Sequence, residues 1–192
     1  MLRSLRLPHY SSHRYAFFCC DLQERFSDKI PQFSRCVKVA NTLSSISQLL
    51  DIPFLVTEQY PQGLGGTVKE ITLPPMALVL PKTGFSMLSA ATGENVTRLQ
   101  PFLQKENIIV LFGIEAHVCV LQTALELNDK GVQCVVLADA VGSMQVEDQN
   151  EALQLMRTRL PCCTVTTSQS LVFQMVQDAA DPNFKTVSKL FK

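Results

Sequence analysis

Short apolar runs of strand length alternate along this chain with longer stretches in which apolar residues recur at helical spacing. The short runs are continuously apolar, which is the pattern of strands buried on both faces of a sheet. Parallel strands need a crossover helix to return the chain to the same end of the sheet. The alternation therefore predicts an α/β fold: a three-layer α/β/α sandwich around a mainly parallel, six-stranded sheet.

The positions of the elements follow from the same pattern. The predicted strands are residues 15–20, 52–57, 76–80, 108–113, 132–138 and 163–166. The predicted helices are residues 31–50, 94–105, 117–130 with Gly131 as its C-cap, 147–159, and 168–178 as the last, opening at a serine cap. Proline and glycine residues between positions 58 and 67 mark a loop after the second strand.

Length and charge narrow the possible functions. The 192 residues suit one domain, residues 15–192, with a basic N-terminal lead-in at residues 1–14. Seventeen basic residues balance seventeen acidic ones, so no excess positive field favours nucleic acid. The longest uncharged stretch is rich in Thr, Ser and Gln, which argues against a membrane span. The expected partner is a small molecule.

The seven cysteines are odd in number and contain no CxxC motif, which fits neither a disulfide framework nor a zinc site. A reducing compartment fits better, and we expect a cytoplasmic protein. Arg3, Arg6 and Arg14 precede the first acidic residue, Asp21, which is the bias of a transit peptide. A mitochondrial location is therefore the alternative.

Ligands of open α/β sheets bind beyond the carboxyl ends of the strands. Asp21 follows the first predicted strand, Lys82 the third, and Cys119 lies after the fourth, near the start of a helix. The positive end of that helix and a neighbouring lysine favour a reactive thiolate. A carboxylate can exchange a proton with the sulfur, and free N–H groups at the helix start can form an oxyanion hole. The alternative for Cys119 is that of most free cysteines, a small buried apolar side chain.

Other polar and aromatic residues share the predicted rim and are candidates for substrate contact. They are Gln23, Glu58, Gln59, Tyr60, Phe85, Glu115 and His117. Each has an ordinary alternative: Gln23 as a loop cap, the 58–60 stretch as a simple connection or oligomer contact, Phe85 as core and His117 as a surface residue. Asp139 more often caps the next segment than acts in catalysis.

Four motifs carry a family resemblance. They are CDLQERF around Asp21, TEQYPQGLG from Thr57, KTGFSM from Lys82 and GIEAHVCVLQTALEL around Cys119. In this order they resemble the isochorismatase-like cysteine hydrolase superfamily, most closely its eukaryotic isochorismatase domain-containing branch. The resemblance covers nearly the whole chain from about Tyr15.

The resemblance implies a catalytic triad of Asp21, Lys82 and Cys119, with the backbone N–H groups of Ala116 and Cys119 as the oxyanion hole. It also implies a cis peptide between Glu115 and Ala116, and assembly as a homo-oligomer. Many relatives have Thr where this chain has Ala116, so contacts to substrate at that turn differ.

The combined interpretation is a metal-free hydrolase, without a cofactor, that cleaves an amide or related C–N bond through a thioester. The relatives that bind a metal need an Asp and two His after the second strand, whereas the histidines here are His9, His13 and His117. Three alternatives stay open. They are a vinyl-ether hydrolase led by Asp21 without covalent catalysis, a binding or assembly protein on a hydrolase fold, and, less favoured by the neutral charge, a nuclease.

Overall fold

The strands form one parallel sheet. The computed structural model describes residues 6–11 and 14–192, and within them six strands lie in the order β3-β2-β1-β4-β5-β6, with every neighbouring pair parallel. The strands are β1 (Tyr15–Cys20), β2 (Phe54–Gln59), β3 (Leu78–Lys82), β4 (Ile108–Ile114), β5 (Gln133–Gly142) and β6 (Cys163–Thr166). The predicted fold class is confirmed.

Several strands extend past the apolar runs that predicted them. β2 and β3 each lie two residues further along the chain than predicted, and Gln59 still pairs with Lys82 at their ends. β5 continues to Gly142, which pairs with Ile114 after a register irregularity. Backbone pairing carries these strands beyond their apolar segments and brings polar residues to the carboxyl rim.

Helices connect consecutive strands. Over the described residues they are α1 (Phe33–Leu50), α2 (Pro61–Leu64), α3 (Asn95–Leu99), α4 (Leu121–Asp129), α5 (Val146–Arg159), α6 (Ser168–Val176) and α7 (Phe184–Lys189). Short 3₁₀ turns occur at Glu24–Phe26, Met87–Ala90 and Gln100–Leu103. None of the helices found in residues 6–11 and 14–192 has the length and apolar character needed to cross a membrane.

The predicted helix at residues 94–105 is wrong as a single element. α3 ends at Leu99, and a 3₁₀ turn that contains Pro101 follows it. Proline has no N–H to donate to the preceding turn and its ring clashes there, so the α-helix does not continue.

The end of the chain also differs from the prediction. α6 is capped by Thr167, not Ser168, because the Thr167 hydroxyl accepts the Ser170 N–H at 3.4 Å. α6 stops at Val176, where Gln177 adopts a left-handed conformation with φ 62°. It is not the last helix, since α7 follows.

Both faces of the sheet are buried, as the continuous apolar strands require. Phe17 belongs to a core cluster with residues of α1 and α6, whereas Phe18 belongs to a second cluster with residues of α4 and α5. Burying one such aromatic side chain contributes about 1.5–3 kcal/mol. The sheet is therefore the middle layer of three. Helices cover both of its faces, and the predicted active site lies at the carboxyl ends of its strands.

The strand order reverses between β1 and β4, which lie side by side although β2 and β3 separate them in sequence. At the rim of this pair Gly113 lies opposite Cys20. Gly113 has φ +118°, and a Cβ there would lie 2.1 Å from the Cys20 carbonyl oxygen. Only glycine allows the two strands to come this close beside the predicted site.

Residues 6–11 pack against the body of the domain. Leu7 is buried, and its carbonyl accepts a hydrogen bond from Gln177 Nε2 at 3.1 Å. The Tyr10 N–H donates to the Met175 carbonyl at 3.0 Å. The predicted lead-in at residues 1–14 includes Arg3 and His13, which lie outside the described residues.

Candidate active site

Asp21 leaves the carboxyl end of β1 in a left-handed conformation, with φ 50°. Its side chain is buried, and Oδ1 accepts a hydrogen bond from the Thr57 hydroxyl at 2.8 Å. The Asp21 N–H donates to the Thr57 carbonyl at 3.1 Å. A non-glycine residue with φ above zero is uncommon and concentrates at functional sites. Here the turn aims the carboxylate at the neighbouring strands.

Lys82, the last residue of β3, brings its ammonium group to that carboxylate. Nζ lies 2.7 Å from Asp21 Oδ2, and both side chains are buried. Its other partners are Gln59 Oε1 at 2.6 Å, the carbonyl oxygens of Phe85 at 3.0 Å and Gly84 at 3.3 Å, and the Cys119 sulfur at 3.6 Å. The ammonium is therefore held between the predicted base and the predicted nucleophile.

The protonation of Lys82 reflects two opposed effects. Burial lowers the pKa of its ammonium group, whereas the acidic groups of Cys20, Asp21 and Cys119 raise it. The second effect is the larger, so the pKa of Lys82 lies above its usual value of 10.5. The group is thus a permanent cation at neutral pH. A fixed positive charge in a water-poor site stabilises both a carboxylate and a thiolate.

Cys119 lies in a five-residue π-helical turn, Ala116–Val120, that leads directly into α4. The residue is 7% exposed, so its sulfur is almost covered. The predicted helix at residues 117–130 therefore begins differently from expectation: the Val120 N–H reaches back to the Glu115 carbonyl at 3.2 Å. Single π-turns are rare in proteins, and those that occur are often found at functional sites.

A non-proline cis peptide precedes this turn, but not where the resemblance implied. It joins Ile114 to Glu115, one bond earlier than the expected bond between Glu115 and Ala116. The shift puts the bond at the end of β4, so the chain leaves the strand through it. The oxyanion role of the Ala116 and Cys119 N–H groups stays a prediction.

Gln23 is fully buried and binds the loop after β2 through both ends of its amide. Nε2 donates to the carbonyls of Gln59 at 3.0 Å and Gly65 at 2.7 Å, and Oε1 accepts the Gln59 N–H at 2.7 Å. The Glu58 carboxylate binds the same loop through the Thr67 N–H and hydroxyl. Gln23 and Glu58 therefore hold the loop, and Gln59 in turn holds Lys82.

Tyr60 and Phe85 are half-exposed aromatic residues whose backbones contact Lys82. Their side chains are 54% and 51% exposed, so neither belongs to the core. The Tyr60 N–H donates to the Lys82 carbonyl at 2.8 Å, and the Phe85 carbonyl accepts from the Lys82 ammonium. Backbone contacts thus place both aromatic residues next to Lys82.

Glu115 and His117 flank Ala116, and the structure turns both side chains toward the segment after β5. Glu115 Oε2 accepts the Met144 N–H at 2.8 Å. His117 Nδ1 lies 3.0 Å from the Ser143 hydroxyl, and Nε2 lies 3.7 Å from Asp148. In this arrangement their polar groups hold the turn to its neighbour, and their contact with substrate stays a prediction.

Three contributions to the site had not been predicted. Thr57 orients Asp21, Ser143 orients His117, and the Cys20 sulfur lies within 4.8 Å of the Cys119 sulfur. Thr57 and Cys20 had been interpreted only as the ends of apolar strands. Their position as the last residues before a rim was the signal that could have identified them.

Among the described residues, Cys20, Asp21 and Cys119 form a group that resembles a metal site. Their sulfur and carboxylate ligand atoms all lie within 4.8 Å of one another. The Lys82 ammonium, however, contacts both Asp21 and Cys119. It supplies the positive charge that a metal would otherwise bring to these ligands.

Comparison with known proteins identifies the family of the chain. A family model described as the Isochorismatase domain matches residues 15–170. The chain belongs to the isochorismatase family. Isochorismatase domain-containing protein 1 of Danio rerio is 41% identical over 191 residues, which cover 97% of this chain and 64% of that protein. Isochorismatase domain-containing protein 2 of Homo sapiens is 42% identical over 178 residues, covering 91% and 82%.

A solved structure shares the fold at moderate identity. The MAR1 ribonuclease from Caenorhabditis elegans superposes with a TM-score of 0.83 at 36% identity, covering 93% of this chain and 89% of that one. The predicted family is confirmed, and with it the coarse class of an isochorismatase-family hydrolase. This isochorismatase-family chain spans less than two thirds of the Danio rerio relative. The activity of this chain is therefore proposed below from its own residues.

Proposed function

We propose that this protein is a metal-free hydrolase of a small substrate with an amide or related C–N bond. Cys119 is the nucleophile, Asp21 the general base and acid, and Lys82 their electrostatic partner. One observation carries the proposal: the buried Lys82 ammonium lies 2.7 Å from Asp21 and 3.6 Å from the Cys119 sulfur. A base and a fixed positive charge beside a thiol are features that can activate a cysteine as a nucleophile.

The first half of the reaction forms the thioester. Asp21 takes the thiol proton of Cys119, and the thiolate attacks the carbonyl carbon of the substrate. The N–H groups of Ala116 and Cys119 bind the oxygen as it becomes negative. As the C–N bond breaks, Asp21 returns the proton to the departing nitrogen.

The second half releases the product. Asp21 removes a proton from water, and the resulting hydroxide attacks the thioester carbon. The C–S bond breaks, an acid leaves, and Cys119 regains its thiol. Throughout, the positive charge of Lys82 compensates negative charge at Asp21 and at the sulfur.

The proposal of a metal-free reaction rests on the position of Lys82. A metal bound by Cys20, Asp21 and Cys119 would stand beside the ammonium, and the repulsion between two cations in a buried site is large. The burial of the triad also favours a small substrate, because Cys119 is 7% exposed and Asp21 only 1%. The rings of Tyr60 and Phe85 would border an apolar part of it.

Alkylation of Cys119 tests the nucleophile without knowledge of the substrate. We expect iodoacetamide to label Cys119 at least roughly tenfold faster than Cys36 and Cys134, as read by peptide mass spectrometry, because thiolate character sets the rate. Lys82→Met should slow labelling, whereas Lys130→Met, a change of an exposed lysine 47% open to solvent, should not. Equal rates at all three cysteines would reject the proposed nucleophile.

Turnover of a panel of small amides, followed by release of the amine, tests the reaction itself. Asp21→Asn should lower kcat/KM by about 10²–10⁴-fold on any substrate found, the usual contribution of general acid–base catalysis. Cys119→Ala should abolish turnover. Full turnover of an amide in Cys119→Ala would reject covalent catalysis by Cys119. Turnover of a vinyl ether, retained in Cys119→Ala and lost in Asp21→Asn, would support the alternative in which Asp21 acts without a covalent intermediate.

A ribonuclease is the second candidate function, and the similarity to the MAR1 ribonuclease from Caenorhabditis elegans supports it. The net charge of zero opposes it, since RNA-binding surfaces are rich in Lys and Arg. Cleavage of RNA that disappears in Cys119→Ala and Asp21→Asn would establish it. A chain that neither binds nor cleaves RNA at low salt, but turns over an amide, would remove it.

An inactive binding or assembly protein is the remaining alternative. Unreactive Cys119 together with no turnover would favour it. We also propose that the chain forms a homo-oligomer, which half-exposed apolar side chains on α4 and α5 support, among them Leu125, Val146 and Leu155. Light scattering in solution measures that state, and imaging of a tagged chain decides between the cytoplasmic and mitochondrial locations.

A further inference from the structure

Beside Asp21, Lys82 and Cys119 lies a second thiol, that of Cys20, which the proposed reaction does not use. Cys20 is the last residue of β1 and is fully buried. It belongs to the same core cluster as Cys119, whereas its neighbour Cys19 belongs to the cluster on the other face of the sheet. The alternation of side chains along β1 therefore aims Cys20 at the nucleophile.

The two sulfur atoms are already neighbours. Those of Cys20 and Cys119 lie within 4.8 Å of each other. A disulfide needs the two sulfur atoms at about 2.05 Å from each other, so they must move closer together. Rotation of the Cys119 side chain, which is the more accessible of the two, can start this movement. Adjacent strands that face each other at Cys20 and Gly113 already bring the two chain segments together.

We propose that Cys20 and Cys119 form a reversible oxidative modification site, in which a peroxide converts Cys119 to a sulfenic acid and Cys20 closes it to a disulfide. The inference rests on the proposed function only in requiring a reactive Cys119. Its consequence is that oxidation removes the nucleophile without irreversible loss, since a disulfide resists the further oxidation that sulfenic acids undergo.

The two steps balance. The Cys119 thiolate attacks one oxygen of hydrogen peroxide, the O–O bond breaks, and the departing hydroxide takes up the proton that the thiol released, giving the sulfenic acid and water. The Cys20 sulfur then attacks the Cys119 sulfur, the S–O bond breaks, and the hydroxyl leaves with the Cys20 proton as a second water. Two thiols are oxidised to one disulfide, and one peroxide is reduced to two waters.

The surroundings give the two sulfurs different roles. Lys82, 3.6 Å from the Cys119 sulfur, stabilises a thiolate there, and Cys119 is the member of the pair with exposed surface. Burial, the neighbouring Cys119 thiol and the charge of Asp21 raise the pKa of the Cys20 thiol well above its usual value. Cys119 therefore reacts with peroxide first, and Cys20 resolves it, with Asp21 near enough to accept the Cys20 proton.

Peroxide treatment of the full chain, followed by mass spectrometry under non-reducing conditions, tests the proposal. We expect an intact mass lower by two hydrogens and a cross-linked peptide pair that contains Cys20 and Cys119. Alkylation of Cys119 should fall by more than about tenfold and recover with dithiothreitol. The pair Cys134 and Cys163, opposite each other on β5 and β6, serves as an internal comparison and should oxidise more slowly.

Variants at adjacent positions give a matched control. Cys20→Ser, which keeps the side-chain size, should lose the cross-link and accumulate sulfinic acid on Cys119, and recovery with dithiothreitol should fail. Cys19→Ser, on the other face of the sheet, should keep the cross-link. A wild-type chain whose Cys119 becomes sulfinic acid while Cys20 stays a thiol would overturn the proposal.

The outcomes separate this proposal from the proposed function. Rapid alkylation of Cys119 without the cross-link rejects the modification site and leaves the hydrolase. A cross-link in a chain that turns over no amide supports the modification site and weakens the hydrolase. If Cys119 resists both alkylation and peroxide, the two proposals fail together.

Discussion

At the scale of single residues, Thr57 has the clearest role outside the triad, because its hydroxyl fixes one oxygen of Asp21 at 2.8 Å. Thr57→Val removes this bond to a charged group and should lower the free energy of unfolding by about 1.5–3 kcal/mol. It should also slow turnover, since the carboxylate loses its orientation. Urea unfolding and kcat measure the two effects. Thr57→Ser keeps the hydroxyl and is the matched control, and equal losses in both variants would contradict the assigned role.

Gly113 is a second single-residue constraint. In Gly113→Ala the new Cβ would lie 2.1 Å from the backbone oxygen of Cys20, so the variant should lose at least about 3 kcal/mol of stability. Gly93→Ala is the comparison, because Gly93 also has a positive φ, +55°, but no atom of the described residues lies within 4 Å of the added Cβ. That change should cost only about 1–2 kcal/mol. Similar urea midpoints for the two variants would contradict the argument from close approach.

The sequence predicts that Asp21, Lys82 and Cys119 lie together, which the structure shows, but it does not predict the residues that support them. Asp21, Lys82 and Cys119 each follow an apolar run, and parallel strands deliver such residues to one rim. The hydrogen bond from Thr57 to Asp21 depends on the register of β1 against β2, which places Cys20 opposite Thr57. No one-dimensional pattern carries that register, so the position of Thr57 at the end of a predicted strand marks it as a rim residue but does not identify Asp21 as its partner.

At the scale of elements, the π-turn that carries Cys119 is held by its neighbours as well as by its own backbone. Glu115→Ala removes the contact with the Met144 N–H, 2.8 Å in the parent chain. We expect faster amide hydrogen exchange over residues 116–120 and lower kcat with little change in KM, because the nucleophile loses its position before it loses substrate.

Glu115→Gln is the control for that change, since its side-chain oxygen can still accept the Met144 N–H. It should keep slow exchange and most of the activity. A KM that rises in both variants while exchange stays unchanged would instead mean that Glu115 binds substrate directly, as the sequence had predicted.

Element boundaries show where hydrophobic periodicity fails. Pro101 divides the stretch predicted as one helix, and β5 runs four residues past Ala138 because Gly142 pairs with Ile114. The cis peptide lies one bond before its expected position. In each case backbone geometry or pairing with another element sets the boundary. Sequence prediction uses the pattern of polar and apolar side chains, which does not contain that information.

At the scale of the whole molecule, buried thiols make stability depend on alkaline pH. Burial raises the pKa of Cys36 to about 12, and the pKa values of Cys20 and Cys134 lie well above their usual range. In the unfolded chain these groups ionise near pH ~8.5. Between that value and the folded-state values the folded chain holds more protons, so stability is complete below pH ~8.5 and falls as pH rises.

Unfolding in urea with a reductant, at several pH values above pH ~8.5, measures this loss. Each such thiol contributes a slope of up to about 1.4 kcal/mol per pH unit. Cys36→Ala should reduce the slope by that amount, whatever it does to stability at neutral pH. The raised pKa of Lys82 acts in the same direction at still higher pH. A stability that stays flat above pH ~9 would contradict the thiols being buried.

The packing of residues 6–11 on α6 would limit how much of the N-terminus a protease could remove without loss of contacts in the folded domain. Leu7 is buried, and Tyr10 is bonded to Met175 through its N–H and to Asp181 through its hydroxyl at 3.1 Å. If the basic N-terminal residues serve as an organellar address, a processing protease that cuts after Tyr10 would strip an apolar anchor and these hydrogen bonds from the folded domain. A cut before Leu7 would leave them in place, so the fold itself defines how much of the N-terminus an import pathway can remove.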